Sequence, residues 1–480
     1  MNHAIHRLCR CAKRICPARA WSGAAPYASL GLALPLALAA PFGSSSSSLQ
    51  IALFALAAAL AITVVLVPLQ WLLYGVILAI PFDNLSLPVG PLGISVSDAL
   101  LVVLVLRWLL VVAQRGGRIA RSEIYAPATL FFALLLPSFL VTSDYALSAR
   151  HAFAILMMLT TALVATNLLR SEGRLRHAVT AFMVASAVIS LLALAQLYLW
   201  LRYHISPFQW DLNAAHIGGM TFLRLTGTYV DPNWLALYLI GPIVLGLFVA
   251  LEQPASRRYK AFVWAALALD TAVFLMTFSR GGWVTLLAFM VVFVLLRARA
   301  PSRGLWLAMV IAVLVAAPLL ATMFVEINPS SVRSREVLQE LGAEVMTEHP
   351  LAGTGLGTFK YLPQNPFHGP THSIYLQIGA DAGIPPLVAF LWLGLVVMVN
   401  AVRALRVAPA GSTRAILVGS VYALGCIAIE GAFLDALIVK YLWVLVGIIS
   451  AAAAVARADH SPEETSSVEA HTQPLLEQES

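Results

Sequence analysis

Fourteen apolar runs divide this sequence, at roughly 28–42, 50–67, 69–82, 97–113, 125–142, 151–169, 178–201, 234–251, 261–278, 281–297, 305–325, 372–400, 415–434 and 436–456. About 20 mostly apolar residues is the length a helix needs to cross the hydrocarbon core of a bilayer. No water reaches the backbone there, so a spanning segment must satisfy its own N–H and C=O groups, as a helix does. The strands of a membrane barrel would alternate apolar and polar residues, and these runs do not. Of the 480 residues 60% are hydrophobic and 11% charged, whereas soluble domains carry about 25% charged residues. The pattern therefore predicts an all-α, polytopic transmembrane bundle of 12–14 spans with two longer outside loops, 202–233 and 326–371. It excludes a soluble enzyme, a disordered chain and a disulfide-stapled secreted domain.

A net charge of +7 invites a nucleic-acid reading, but the basic residues fall in small clusters between the runs. That distribution is the one cytoplasmic loops of membrane proteins show. Alternation from a cytoplasmic N-terminus puts 21 Lys and Arg inside and 8 outside, with Arg107 inside a run. Both termini are thereby expected in the cytoplasm: a basic segment at 1–27, a transmembrane domain at 28–456 and an acidic, disordered tail at 457–480. A basic head followed by an apolar run also resembles a signal peptide. The serines at 44–48 and the second run after them fit a helical hairpin better. Cys9, Cys11 and Cys16 lack His or Cys partners for a closed zinc site, and Cys426 lies inside a run, so no metal is expected. No internal repeat is evident, which argues against an inverted-repeat transporter.

Charges kept on the translocated side against this trend are functional candidates. Four outside clusters stand out. The first is Arg224-Leu225-Thr226-Gly227-Thr228-Tyr229-Val230-Asp231-Pro232-Asn233, ending where a helix starts. Asp231 or Asn233 can cap that helix, and its N-terminus favours an anion beside Arg224; a lipid-headgroup or loop-stabilising contact is the plainer role. The second is Ser279-Arg280-Gly281-Gly282 between two runs with almost no loop. Its glycines allow the backbone to approach a ligand, while a snorkelling interfacial arginine is the alternative. The third, His349-Pro350-Leu351-Ala352-Gly353-Thr354-Gly355-Leu356-Gly357-Thr358-Phe359, evokes a phosphate loop but lacks the Lys-Ser/Thr of one. The fourth is His372-Ser373-Ile374-Tyr375-Leu376-Gln377, opening the run 372–400, where a histidine can act as a general base or simply stabilise the interface.

Taken together, R-x-x-G-x-x-x-D/H-P-N, S-R-G-G, H-P-x-x-G-x-G-x-G-T-F and H-S/N-x-Y-L-Q with Gly-Ile-Pro beyond it resemble the O-antigen ligase and polymerase superfamily of bacterial inner-membrane glycosyltransferases. The resemblance covers about 220–395, with Pro386 standing where the family usually has a small residue. It implies transfer of a glycan from undecaprenyl pyrophosphate to an acceptor hydroxyl on the periplasmic side, without metal, nucleotide or other cofactor. The acceptor would be lipid A core for a ligase, another repeat unit for a lipopolysaccharide or exopolysaccharide polymerase, or a protein for an oligosaccharyltransferase. On that reading Arg224 and Arg280 meet the pyrophosphate, because planar five-donor forks can replace a divalent cation. His372 removes the acceptor proton, and Arg333, Arg335, Asp231, Asn233 and Tyr375 are accessory candidates. A transporter of a small anion is the rival class, since the same arginines would serve as an anion funnel. Asp270, in the middle of the run 261–278, must be protonated or paired inside the bundle, either for packing or on an ion path.

Overall fold

The computed structural model describes residues 67–458, apart from 86, 90–91, 115–118, 206–213, 218–219, 253 and 298–328. The expected segment 1–27, the runs 28–42 and 305–325, almost all of 50–67, and the tail beyond 458 lie outside the described residues. Residues from Leu69 onward form one compact unit. Its helices are α1 (Leu69–Ala79), α2 (Val96–Gln114), α3 (Tyr125–Leu135), α4 (Tyr145–Leu168), α5 (Glu172–Tyr203), α6 (Pro232–Glu252), α7 (Arg257–Leu275), α8 (Arg280–Arg297), α9 (Pro329–Glu348), α10 (Ile374–Ala382), α11 (Ile384–Val407), α12 (Ser412–Glu430) and α13 (Lys440–Ala458). Two antiparallel hairpins, β1 (Leu87–Val89) with β2 (Leu92–Ile94) and β3 (Ala214–Ile217) with β4 (Met220–Leu223), decorate the connections.

Local chemistry sets where the helices start. Asp144 accepts the Leu147 amide at 2.9 Å, Ser171 that of Arg174 at 3.4 Å and Ser256 that of Tyr259 at 3.3 Å. Each oxygen satisfies one of the amides that a helix N-terminus leaves without a partner. Among the described residues seven helices are long and apolar enough to span a bilayer, and three shorter apolar helices lie at 69–82, 125–140 and 280–293. Helix α2 is the telling case. Its mean hydropathy is 2.3 over a span only 22% buried, and Leu106, Leu109 and Leu110 are exposed. Water would not tolerate so continuous an apolar face, whereas lipid requires it. The protein is a polytopic helical membrane protein.

Helix α6 sits at the centre, 83% buried along its span. It packs chiefly on α12, α7, α5 and α8. Asp270 of α7 is wholly buried and receives Ser186 and Ser190 hydroxyls from α5 at 2.6 Å each. Its partners inside the bundle are therefore hydroxyls, which satisfy both oxygens as burial demands.

Contacts sort the connections into two ends. At one end Thr228 Oγ1 donates to the Pro81 carbonyl, Leu225 N to Met276 O at 3.1 Å and Ile374 N to Gly431 O at 2.8 Å. Lys440 there bridges Asp83 and Asp98 at 2.9 and 2.8 Å. At the other end Arg457 pairs with Glu123 at 2.8 Å and Thr413 donates to Glu172 at 3.4 Å. All four candidate clusters belong to the first end.

Two sequence expectations need revision. The run 372–400 is not one span. Gly383 breaks it with φ 92°, leaving the short helix α10 and the spanning helix α11, so His372 precedes a nine-residue helix rather than opening a transmembrane one. The loop 326–371 also holds α9, whose Leu338 and Val345 pack on Phe359 and Ala380.

Candidate active site

The Asp231-Pro232-Asn233 corner divides its labour. Asp231 Oδ1 accepts the Asn233 amide at 2.7 Å and so caps α6, with Pro232 in the first turn, where a missing N–H costs nothing. Asn233 Nδ2 also donates to Asp231 at 2.7 Å, which turns its Oδ1 outward to accept Arg224 Nη2 at 3.2 Å. Arg224 is half-buried, and its Nε donates to Thr277 O at 2.9 Å and its Nη2 to Phe278 O at 3.3 Å. Phe278 holds a left-handed φ of 50°, a conformation that persists only where the surroundings enforce it and that gathers at functional sites.

The turn carrying those carbonyls also starts α8. Ser279 Oγ accepts the Gly282 amide at 3.4 Å, so Ser279 is the cap and Arg280 the first helical residue. The expectation that Gly281 and Gly282 make room for a ligand is replaced by a packing role. A Cβ on Gly281 would lie 2.8 Å from Glu430 Oε1, and one on Gly282 3.1 Å from the Phe274 ring. Glu430, 1% exposed, accepts Thr285 Oγ1 at 2.9 Å. It is the carboxylate of this site that sequence reasoning left without a role, because its neighbour Gly281 lies on a helix far away in the chain.

Arg335 joins from α9. Leu338 of the same helix face meets Gly369, and Gly342 meets Thr371, where an added Cβ would come within 2.7 Å of the threonine. That seats the face bearing Arg335 along the segment leading to His372. The Arg335 charge acts on Arg224, Arg280, His372 and Glu430, and that of Asp231 on Arg224 and His372. Burial, reinforced by Arg335 and Arg280 and opposed by Asp231, brings the Arg224 pKa down to about 10, which still leaves it charged at neutral pH. Burial and then the Arg335 charge, opposed by Asp231, bring His372 down to about 4. The imidazole is neutral at pH 7, as a proton acceptor must be. His372 too is left-handed, at φ 55°.

Two accessory candidates stand apart. Arg333 is exposed, and the Tyr375 hydroxyl is engaged in donating to Ala428 O of α12 at 2.6 Å. The glycine-rich stretch 353–357 is not a phosphate cradle. Thr354 N and Gly355 N donate to Ala380 O and Asp381 O at 3.0 Å each, so its amides secure the end of α10. Gly353, at φ 60°, leaves backbone atoms of Asp381 and Ala382 only 2.4 Å from where a Cβ would be. Gly353→Ala is expected to destabilise the protein by more than about 2 kcal/mol, through left-handed strain and overpacking. Gly394→Ala, whose Cβ would meet open space, should instead be neutral or slightly stabilising. Thermal unfolding of both variants in detergent checks the contrast.

With this geometry in view, residues 265–391 match the O-antigen ligase family. That match supports membership of the O-antigen ligase and polymerase superfamily. The matched segment carries Arg280, Arg333, Arg335, His372 and Tyr375. The Arg224 corner lies before it and is tied to it by hydrogen bonds to Thr277 and Phe278. A search of curated proteins returned no match.

Proposed function

We propose that this O-antigen ligase-like protein transfers a glycan from undecaprenyl pyrophosphate to an acceptor hydroxyl at the periplasmic face of the bacterial inner membrane. One observation carries the reading: half-buried arginines and a neutral histidine, from sequence-distant segments, gather at one end of a membrane bundle. The acceptor oxygen attacks the anomeric carbon as the bond between that carbon and the bridging pyrophosphate oxygen breaks. The bond's electrons leave with undecaprenyl pyrophosphate, and the acceptor proton goes to His372. Arg224 and Arg280 stabilise the negative charge developing on the pyrophosphate, a task that preorganised donors perform without reorganisation. No divalent cation is needed for that task. Arg170, Arg174, Arg257, Arg403, Arg406 and Arg457 lie at the opposite end, and this basic bias supports reading that end as the cytoplasmic one.

Purified protein in liposomes, given undecaprenyl-pyrophosphate-linked glycan and either lipid A core or a second repeat unit, should form product in the presence of chelator. Transfer to one acceptor and not the other assigns ligase or polymerase. Absence of product with any acceptor, together with anion flux that survives His372→Ala, would replace the transferase reading with the transporter one.

A further inference from the structure

Strain at His372 is held from both sides. A left-handed backbone is disfavoured for any residue with a Cβ and survives only when its neighbours fix it. After His372, Ile374 N donates to Gly431 O at 2.8 Å. Before it, Thr371 Oγ1 donates to Ser373 O at 2.9 Å and accepts from Ser373 N at 3.3 Å, stapling the two residues that flank the histidine. The Thr371 amide donates to Gln377 Oε1 at 2.9 Å.

Gln377 is 8% exposed, and its other amide atom is equally committed. A backbone N–H can only donate, so Oε1 faces Thr371 and Nε2 faces Asp381 one turn on, donating to Oδ2 at 2.9 Å. Asp381, 7% exposed, accepts the Phe359 amide on Oδ1 at 3.3 Å and also takes an amide hydrogen bond from Gly357. An uninterrupted hydrogen-bond chain thus runs from the glycine-rich loop through Asp381 and Gln377 to the Pro370–Thr371 peptide, one residue before His372. Helix α10 is too short to serve as a span. In this chain it acts as the rigid spacer that sets Gln377 and Asp381 four residues apart on one face.

We propose that Gln377, braced by Asp381, is a positioning residue for glycan transfer: it clamps the Pro370–Thr371 peptide, one residue before His372, and so holds the backbone in the conformation that presents the imidazole to the acceptor. This rests on His372 being the base. The polarity of the chain supplies a specific test. Gln377→Met fills nearly the same volume and makes neither hydrogen bond. Gln377→Glu keeps the acceptor for Thr371 but turns an oxygen toward Asp381. Asp381→Asn keeps an oxygen for Phe359 but turns a donor toward Gln377. Combined, Q377E/D381N regains the hydrogen bonds to Thr371 and Phe359 and the link between the two side chains, with the polarity of that middle link reversed.

The measurements are kcat and KM for the lipid-linked donor, the melting temperature, and the rate of carbethoxylation of His372 by diethyl pyrocarbonate, read by peptide mass spectrometry on the full chain. Gln377→Met should lower kcat about 10²-fold, the scale of loss from an ångström-level misplacement. It should leave donor KM unchanged and alter the His372 labelling rate several-fold. Each half of the swap should be impaired, and the pair should recover both turnover and labelling. Wild-type labelling in Gln377→Met, or a swap that melts like wild type yet recovers nothing, overturns the clamp. Should Gln377→Met fail to fold, the comparison of Q377E with Q377E/D381N decides alone. Labelling that responds while turnover stays constant upholds the clamp and removes His372 from the base role.

Discussion

His372→Ala should retain lipid-linked donor at near wild-type affinity and lose transfer by about 10²–10⁴-fold, the usual worth of one general base. The separation is expected because the pyrophosphate contacts are assigned to arginines on other elements, Arg224 before α6 and Arg280 at the start of α8. A loss of interactions made only in the transition state lowers kcat and kcat/KM together and leaves binding alone. The wild-type pH profile sharpens the point. A histidine whose pKa is held near 4 by burial and by Arg335 loses its basic form only as the pH falls through 4. The acid limb of kcat/KM should therefore lie well below the ordinary histidine value of about 6.5, with no inflection between pH 6 and 7 from this group. An acid limb at 6.5, or a His372→Ala variant that turns over normally, would show that the acceptor proton goes elsewhere. Loss of donor binding in the same variant would instead put the imidazole on the pyrophosphate.

The bundle was legible because lipid burial leaves a one-dimensional trace: long apolar runs, with charges confined to their ends. The candidate residues stood out for the converse reason, since Arg224, Arg280 and His372 carry polarity where insertion disfavours it. Helix caps at Asp231 and Ser279 are local and can be read directly from Asp-Pro-Asn and Ser-Arg-Gly-Gly. What hydropathy hides is backbone conformation. Gly383 and the prolines after it lie inside an apolar stretch that scans as a single span, and only φ 92° reveals the break. The glycines were misleading for a related reason. A missing side chain states that something must come close without stating what, and here the neighbours are Glu430, the Phe274 ring and the carbonyl end of α10. Gln377 was hidden in another way, and Arg335 was legible only as an accessory candidate, without its reach to His372. Each acts on His372 across a turn or from another helix, a relation that spacing along the chain does not encode.

Arg280→Ala and Arg224→Ala should both reduce transfer by about 10²–10³-fold, the cost of removing one donor from an anion-stabilising site, but they should differ in their rescue by lysine. Arg224 is part of the architecture: its guanidinium ties Asn233 at the α6 cap to the carbonyls of Thr277 and Phe278. Truncating it strips those buried acceptors of a charged donor, so Arg224→Ala should also lower the melting temperature, by the equivalent of roughly 1–3 kcal/mol. Arg280 is the first residue of its helix, ahead of the glycine that faces Glu430, and the melting temperature of Arg280→Ala separates a packing loss from a loss of transfer. Lysine should rescue Arg280 in part, since a point charge keeps the attraction and loses the fork. It should rescue Arg224 less, because one ammonium cannot reach three acceptors in the guanidinium geometry. The double variant tests whether the two serve one ligand. Groups acting on the same pyrophosphate couple, and their combined loss departs from the sum of the singles. Strict additivity in transfer, with donor KM unmoved in both single variants, would mean the arginines do not share the leaving group. The half-buried positive cluster around Arg335 would then need a different anion to account for it.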